Sequence, residues 1–523
     1  MTIKLPALAL VSMLAACERE PTTTPETKPE TESAPACEGA ERLARRWTPE
    51  REQQLSAALA ELPGEWPRRV VETIDRRVAE SGPTWQASYR QACSEADVAR
   101  ERCLERQADE LDGLVTLMIR APELADRLAP WSELALVSVA ACDHAPTPHA
   151  GPIAPELGAE LAVTALLFSI AEYPRAVEAV TQLADLHAIV DDPIYVFTLG
   201  LMATVLELGY GKVEAGMARF QALAPELAKV GPRERSSFEH VVAVLAGNAG
   251  DPNAAIAAYE RAIAAERELG DPIRIAFALE NLAELHRQHG DIAAASAALT
   301  EAIGIYTRQL GSESAHVAEA QLALAGLQAA AGKIDAAQDL LLQARDGFSA
   351  ALGSDHPATH DVVLRLGRLL LAAGRPSDAY HAFLDLQEIT EAQYGERDVR
   401  TADAKLELAE ALRAMGEHEG ARLTFLEALP ILVEGHGADH RSVAQTSIHL
   451  AQSLIELGKA GKDHDRLDEA ETHCTNGRSL VLALPEADPL RADAEQCWTE
   501  LAAARKLAGK RKPGKPAKPA KPG

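Results

Sequence analysis

Leu279-Glu-Asn-Leu-Ala-Glu-Leu-His-Arg-Gln-His-Gly290 decides the fold, because its pattern recurs along the chain. Its apolar–small pair Leu282-Ala283 returns as Leu324-Ala325, Leu366-Gly367, Leu408-Ala409 and Leu450-Ala451, at steps of 42 residues. Its closing glycine belongs to the series 250, 290, 332, 374, 416 and 458, and a second series runs through Gly270, Gly311, Gly353, Gly395 and Gly437. Two glycine series per period mean two helices and two turns per repeat. After each glycine of the first series comes Ala-x₃-aromatic or Ala-x₃-Leu: Ala255 with Tyr259, Ala295 with Leu299, Ala337 with Leu341, Ala379 with Phe383, Ala421 with Phe425. That i, i+4 spacing puts both residues on one helical face. The segment from Gly458 to Ala470 is 7 residues longer than its equivalents, which predicts a bulge at the last inner turn.

These residues resemble tetratricopeptide repeats, and Leu279 to Gly290 together with Gly353-Ser-Asp-His-Pro357 is similar to the 42-residue form found in kinesin light chains. The fold class expected is all-α: an N-terminal helical cap domain followed by a right-handed α-solenoid of about eight helix pairs. The resemblance implies that the first helix of each pair lines a groove for a protein or peptide. It places Asn281, Glu284, Arg365 and Arg368 on that wall, followed by Asp403, Glu407, Glu410, His449 and Gln452. The charge order along it runs from two arginines to three carboxylates.

The remaining chain is read around this array. Residues 1–16 form a lipoprotein signal peptide, with one early cation at Lys4, a short apolar stretch, and Leu14-Ala15-Ala16-Cys17, which resembles a lipobox. Cys17 is the lipidation candidate. Residues 17–36 are a tether rich in Pro, Thr and Glu that cannot bury apolar surface. Residues 37–150 lack the 42-residue period and carry Trp47, Trp66, Trp85 and Trp131 in a helical pattern broken at Pro63-Gly64, Gly82-Pro83 and Pro122. They form the cap. Residues 151–485 are the solenoid, 486–509 a capping helix, and 510–523 a Lys/Pro tail with six cations.

Of seven cysteines, acylation of Cys17 leaves six: Cys37, Cys93, Cys103, Cys142, Cys474 and Cys497. An even remainder suits disulfides in an oxidising compartment, and their grouping at the two ends favours pairing within each group. Cys474 with Cys497 is the clearest pair. The order of cysteines and Trp47 in the cap resembles the region between kinase domain and repeats in large myxobacterial serine/threonine kinases. That resemblance implies a Cys93–Cys103 bond and a sensor-like module, but the kinase motifs G-x-G-x-x-G, H-R-D and D-F-G are missing from this sequence.

Charge and motifs exclude several functions. The chain has 523 residues with 52 basic and 78 acidic side chains, a net charge of −26 that repels nucleic acid. No run of apolar residues reaches the roughly 20 of a spanning helix, so membrane contact is expected through the acyl anchor only. No nucleophile motif, metal-ligand set or cofactor loop is present, and no enzyme is expected. Asp355-His356 and Asp439-His440 recur at helix starts, where Asp is expected to cap free N–H groups. The reading is an exported scaffold or sensor module, anchored to the bacterial envelope at the outer membrane facing the periplasm. The alternatives are an envelope-assembly or docking lipoprotein, and a cell-wall-active enzyme.

Overall fold

The computed structural model describes residues 37–134, 142, 155–170, 172–187, 193–209, 212–230, 232–461 and 463–509. The signal peptide, Cys17, the tether and the Lys/Pro tail lie outside the described residues. Among those residues the regular structure is entirely helical. The chain forms two compact units, one up to Thr359 and one from His360. The cap therefore shares a unit with the first repeats, and the border falls inside a repeat helix instead of at 150/151.

The first unit opens with α1 (Arg42–Arg46), α2 (Pro49–Leu59), α3 (Trp66–Glu95), α4 (Val98–Arg120) and α5 (Ala125–Leu128), followed by a 3₁₀ segment at Ala129–Leu134. Gly64, with φ of +94°, separates α2 from α3 as the sequence predicts. Gly82-Pro83 does not break the chain, however, because α3 runs through both. Trp66, Val70 and Ile74 before that point and Trp85 and Tyr89 after it are all buried. Packing on both sides outweighs the roughly 3 kcal/mol cost of an internal proline. Trp85 is fully buried, and its indole N–H donates to the Leu104 carbonyl on α4 at 2.9 Å.

Repeats follow as pairs: α6 (Pro155–Ser169) with α7 (Tyr173–His187), α8 (Pro193–Gly209) with α9 (Val213–Leu223), α10 (Pro232–Asn248) with α11 (Pro252–Leu269). Then come α12 (Pro272–Gln288) with α13 (Ile292–Leu310) and α14 (Ala315–Ala330) with α15 (Ile334–Ala351). The apolar run in α8 buries Phe197, Leu201, Met202 and Val205, as a core helix must. No described helix is long and apolar enough to cross a membrane. The cap meets the array where α4 crosses α6. A Cβ on Gly113 would stand 2.5 Å from that of Ala162, so only glycine admits so close an approach.

Turn chemistry sets the helix ends. Gly290 has φ of +79°, the Asp291 N–H closes back onto the His286 carbonyl at 2.9 Å, and the Asp291 carboxylate accepts from the Ala294 N–H at 2.9 Å. One Gly-Asp dipeptide thus ends α12 and starts α13.

α16 (Pro357–Ala372) carries the border between the units. The second unit holds α17 (Pro376–Tyr394), α18 (Val399–Ala414), α19 (His418–His436), α20 (Arg441–Gly461), α21 (His464–Val481) and α22 (Leu490–Ala508). Eight helix pairs and a closing helix are thus present among the described residues. The repeat alanines Ala379, Ala421 and Ala470 are fully buried, and so are Phe383 and Phe425. A Cβ on Gly367 would stand 2.3 Å from the Phe383 ring, which explains the small residue at that position. The outward side of α22 carries Glu495, Gln496, Thr499 and Lys506, the polar finish a terminal repeat needs.

Two expectations are corrected here. The extra residues after Gly458 do not bulge. They lengthen α20 to Gly461, and Gly458 is a buried helical residue whose absent side chain makes room for Leu467. The Cys93–Cys103 bond is replaced by Cys37–Cys93 and Cys103–Cys142. Cys93, in the last turn of α3, is taken by Cys37, and Cys103 on α4 by Cys142, so neither thiol is left for the other. Cys474 on α21 is joined to Cys497 on α22. Closing a loop of 23 residues stabilises by about 3 kcal/mol in the chain-entropy description.

Candidate binding surface

In the first unit, the first-helix face is not open. Asn281 on α12 is only 3% exposed, and its Nδ2 has no hydrogen-bond partner among the described residues. Glu284, one turn on, is half-buried and accepts from Arg287 Nε at 2.6 Å and from Gln288 Nε2 at 2.9 Å. Those hydrogen bonds, Arg287 first, hold its carboxyl below the ordinary range. What covers this face is the cap. Trp131 lies tilted against Phe277 with ring centroids 5.7 Å apart and meets His316 on α14 edge-on at 5.9 Å. Glu133 accepts from Ser314 Oγ at 2.7 Å and from the Ala315 N–H at 2.8 Å, on the free N-terminal end of α14. Behind them, burial and the neighbouring Glu319 push the Glu280 carboxyl up to about 8, and Tyr306 donates its hydroxyl to it at 2.8 Å.

A second contact reverses that arrangement. Asp355, in the turn before α16, was expected to cap its own helix. It accepts instead from the Glu65 and Trp66 N–H groups at the start of α3. The cap of α16 is His356, whose Nδ1 accepts from the Ala358 N–H at 3.1 Å. His440 does the same for Ser442 at 3.3 Å, so histidine and not aspartate performs that role in both places.

In the second unit the charged candidates are each paired with another side chain. Arg365 is exposed and donates to Asp361 on its own helix at 2.7 Å. Arg368 reaches across to Glu407 with Nε at 3.1 Å, and Glu407 itself is only 6% exposed. Asp403 receives His436 Nε2 at 2.8 Å. Glu410, 7% exposed, is the hub: Arg413 Nε donates at 3.1 Å, Gln445 Nε2 at 3.3 Å, and His449 Nδ1 closes the other side. Burial alone would raise the Glu410 carboxyl, yet His449 and Arg413 outweigh it and bring it down to about 2. Burial would lower His449, and Glu410 with Asp493 outweighs it in turn, carrying the imidazole up to about 8. Gln452 stands half-buried one turn further along α20.

Sequence reasoning missed Trp131, Glu133 and Asp493, since each acts on a helix distant in the chain and no period marks it, and it missed Arg413, which pairs with Glu410 one turn away on α18. Among the described residues no group of three His, Cys, Asp or Glu side chains could hold a metal ion. Asp463, Asp465 and Asp468 instead start α21, with Asp463 accepting from the Asp465 N–H at 3.0 Å.

The helix pairs and their buried faces define an all-α repeat solenoid. Residues 401–442 match the tetratricopeptide repeat family model, which spans α18 and α19. No curated protein matches the sequence. Among solved structures, a putative kinesin light chain with nearly identical TPR-like repeats from Podospora anserina is 22% identical, over 39% of this chain and 96% of that one, with a TM-score of 0.35. The apo form of RapI is 12% identical over 66% and 99%, with a TM-score of 0.48. A Rap protein complexed with competence and sporulation factor is 14% identical over 68% and 98%, with a TM-score of 0.36.

Proposed function

We propose that this protein is a protein-binding scaffold of a bacterial envelope, exported and held to the membrane by an acyl group on Cys17, and not a catalyst. The observation that carries the binding reading is the face of α16 and α18 in the second unit. Charged side chains stand there at positions a packed helix would give to apolar residues, one repeat apart, with Arg365 and Arg368 exposed. A partner of mixed charge fits that order. The triple change Arg365→Glu, Arg368→Glu and Glu407→Lys inverts the strip yet keeps Arg368 and Glu407 as an opposite pair, so the array should fold. Capture of the partner from envelopes should drop at least tenfold at unchanged helicity, and unchanged capture places binding elsewhere.

The anchor rests on Leu14-Ala15-Ala16-Cys17 and on six further cysteines that all stand in disulfides. Cys17→Ser is expected to move the protein from the membrane pellet to the soluble fraction. One acyl chain binds only marginally, so stable anchoring takes several chains at Cys17. Full retention of the variant in the pellet would refute the anchor.

A further inference from the structure

The outward face of α19, a second helix of its pair, departs from its neighbours in the second unit. Leu423, Leu426, Pro430 and Val433 follow one another at spacings of 3, 4 and 3, which sets them in one line along the helix. Leu423 is 50% exposed and Val433 38%, Pro430 is exposed, and Leu426 is half-buried. In the same register α17 carries His381, Leu384, Glu388 and Glu391. On α21, aligned through the buried Ala470, the places hold Thr472, Thr475, Ser479 and Leu482. The repeat itself therefore asks for no apolar line there, and an exposed line of this kind marks a contact surface.

The chain beyond α22 has the complementary chemistry. Lys512, Lys515, Lys518 and Lys521 recur at every third residue, and each is followed by proline. In a polyproline II helix of three residues per turn, that period puts the lysines on one edge and the prolines on another. The α19 line has exposed carboxylates beside it at Glu427 and Glu434, which hold Lys405 and Arg397 and still face solvent. A proline edge laid along the line brings the lysine edge to such carboxylates.

The tail also starts in the right place. Arg505, in the last turn of α22, donates to Asp468 at 2.9 Å and to Glu471 at 2.6 Å, in the first turns of α21. Arg466 in the same turn of α21 donates to Glu419 in the first turn of α19 at 2.7 Å. Two helix-to-helix steps of roughly 10 Å thus separate the end of α22 from the head of the apolar line. The 14 residues from Lys510 to Gly523 reach roughly 40 Å at about 3.1 Å each, which leaves about 20 Å for the line. Leu423 to Val433 spans about 15 Å of helix. The exposed Asp465 and Asp468 stand along the way.

We propose that Lys510–Gly523 docks in cis on the outward face of α19, crossing the first turns of α21 and laying its prolines along Leu423, Leu426, Pro430 and Val433. The docked tail covers the apolar line, and its lysines offset the carboxylates around it. This face is separate from the first-helix wall, so the docking stands or falls independently of the charge-reversal experiment.

The test follows leucine and valine methyl resonances of the full chain. Lys512→Gln, Lys515→Gln, Lys518→Gln and Lys521→Gln are introduced together, all outside the helices. The Leu423, Leu426 and Val433 methyl signals should shift in this variant, and a chain ending at Gly509 should show the same shifted positions. Raising salt to about 1 M, where the screening length falls to ~3 Å, should move the unaltered chain towards them. Leu482, exposed at the other end of α21, should stay in place throughout. Unchanged signals along the line in both the variant and the shortened chain overturn the proposal, and so does a shift shared equally by Leu482. Signals of the unaltered chain that move along the same path on dilution would put the tail of a second copy on the line and overturn docking in cis.

Discussion

Phe425→Ala is expected to cost about 4 kcal/mol of stability in the second unit, the upper part of the range for emptying a buried aromatic site. Phe425 is fully buried in a continuous core with Ala421, Ala428, Ile448, Leu450 and Leu454, drawn from α19 and α20. The alanines that share this core with the ring have no side chain to extend into the vacancy. In a repeat array each repeat stands on its own stability and on its two neighbour interfaces. The loss should therefore appear as early unfolding of α18 to α21, followed by urea titration with probes in that unit. Phe425→Leu, which refills most of the volume, should lose under half as much. A cost below about 1 kcal/mol for the alanine variant would mean that the repeat core does not hold the array together.

The residues that made the fold legible are those whose role is local. Gly290 and Asp291 end one helix and start the next with hydrogen bonds spanning five residues or fewer, so every repeat writes its own boundaries into the chain. Ala421 and Phe425 are readable for the same reason, being one helical turn apart on one face. Gly458 misled because a glycine at the right register was filled by a different need: close packing against Leu467 inside a longer helix. Gly82-Pro83 misled because burial on both sides overrode a local breaker.

The proposed binding surface was legible only as positions. Arg368 and Glu407 lie within bonding distance of each other, but nothing within 39 residues says that they neutralise one another. The contact of Phe277 with Trp131 joins chain segments some 150 residues apart, and no spacing rule spans that distance. Charge pairing and cap contacts are tertiary facts. They decide which part of a repeat wall is free to bind, and they become visible only when the helices are packed.

The Glu410–His449 pair gives the second large effect. Each group is buried and is held charged chiefly by the other, so removing His449 leaves a buried Glu410 with Arg413 and Gln445 as its remaining donors. His449→Ala should therefore destabilise the second unit by about 3 kcal/mol at pH 5.5, far above the cost of an exposed pair. The pH dependence follows from the two shifts. His449 stands above its ordinary value of 6.5, so its contribution is complete below pH 6.5 and is lost as pH rises through about 8. Glu410 stands below its ordinary 4.5, so its contribution is complete above pH 4.5 and is lost as pH falls towards about 2. The pair is at full strength between pH 4.5 and 6.5. Denaturant titrations of the unaltered protein and the variant should therefore differ most in that interval and converge by pH 9. His449→Gln, which can still donate to Glu410, should recover part of the stability without any pH dependence in that range. A gap between the two proteins that stays constant from pH 5.5 to 9 would show that His449 acts by packing alone, and that the hub on α18 is held by Arg413 and Gln445 without it.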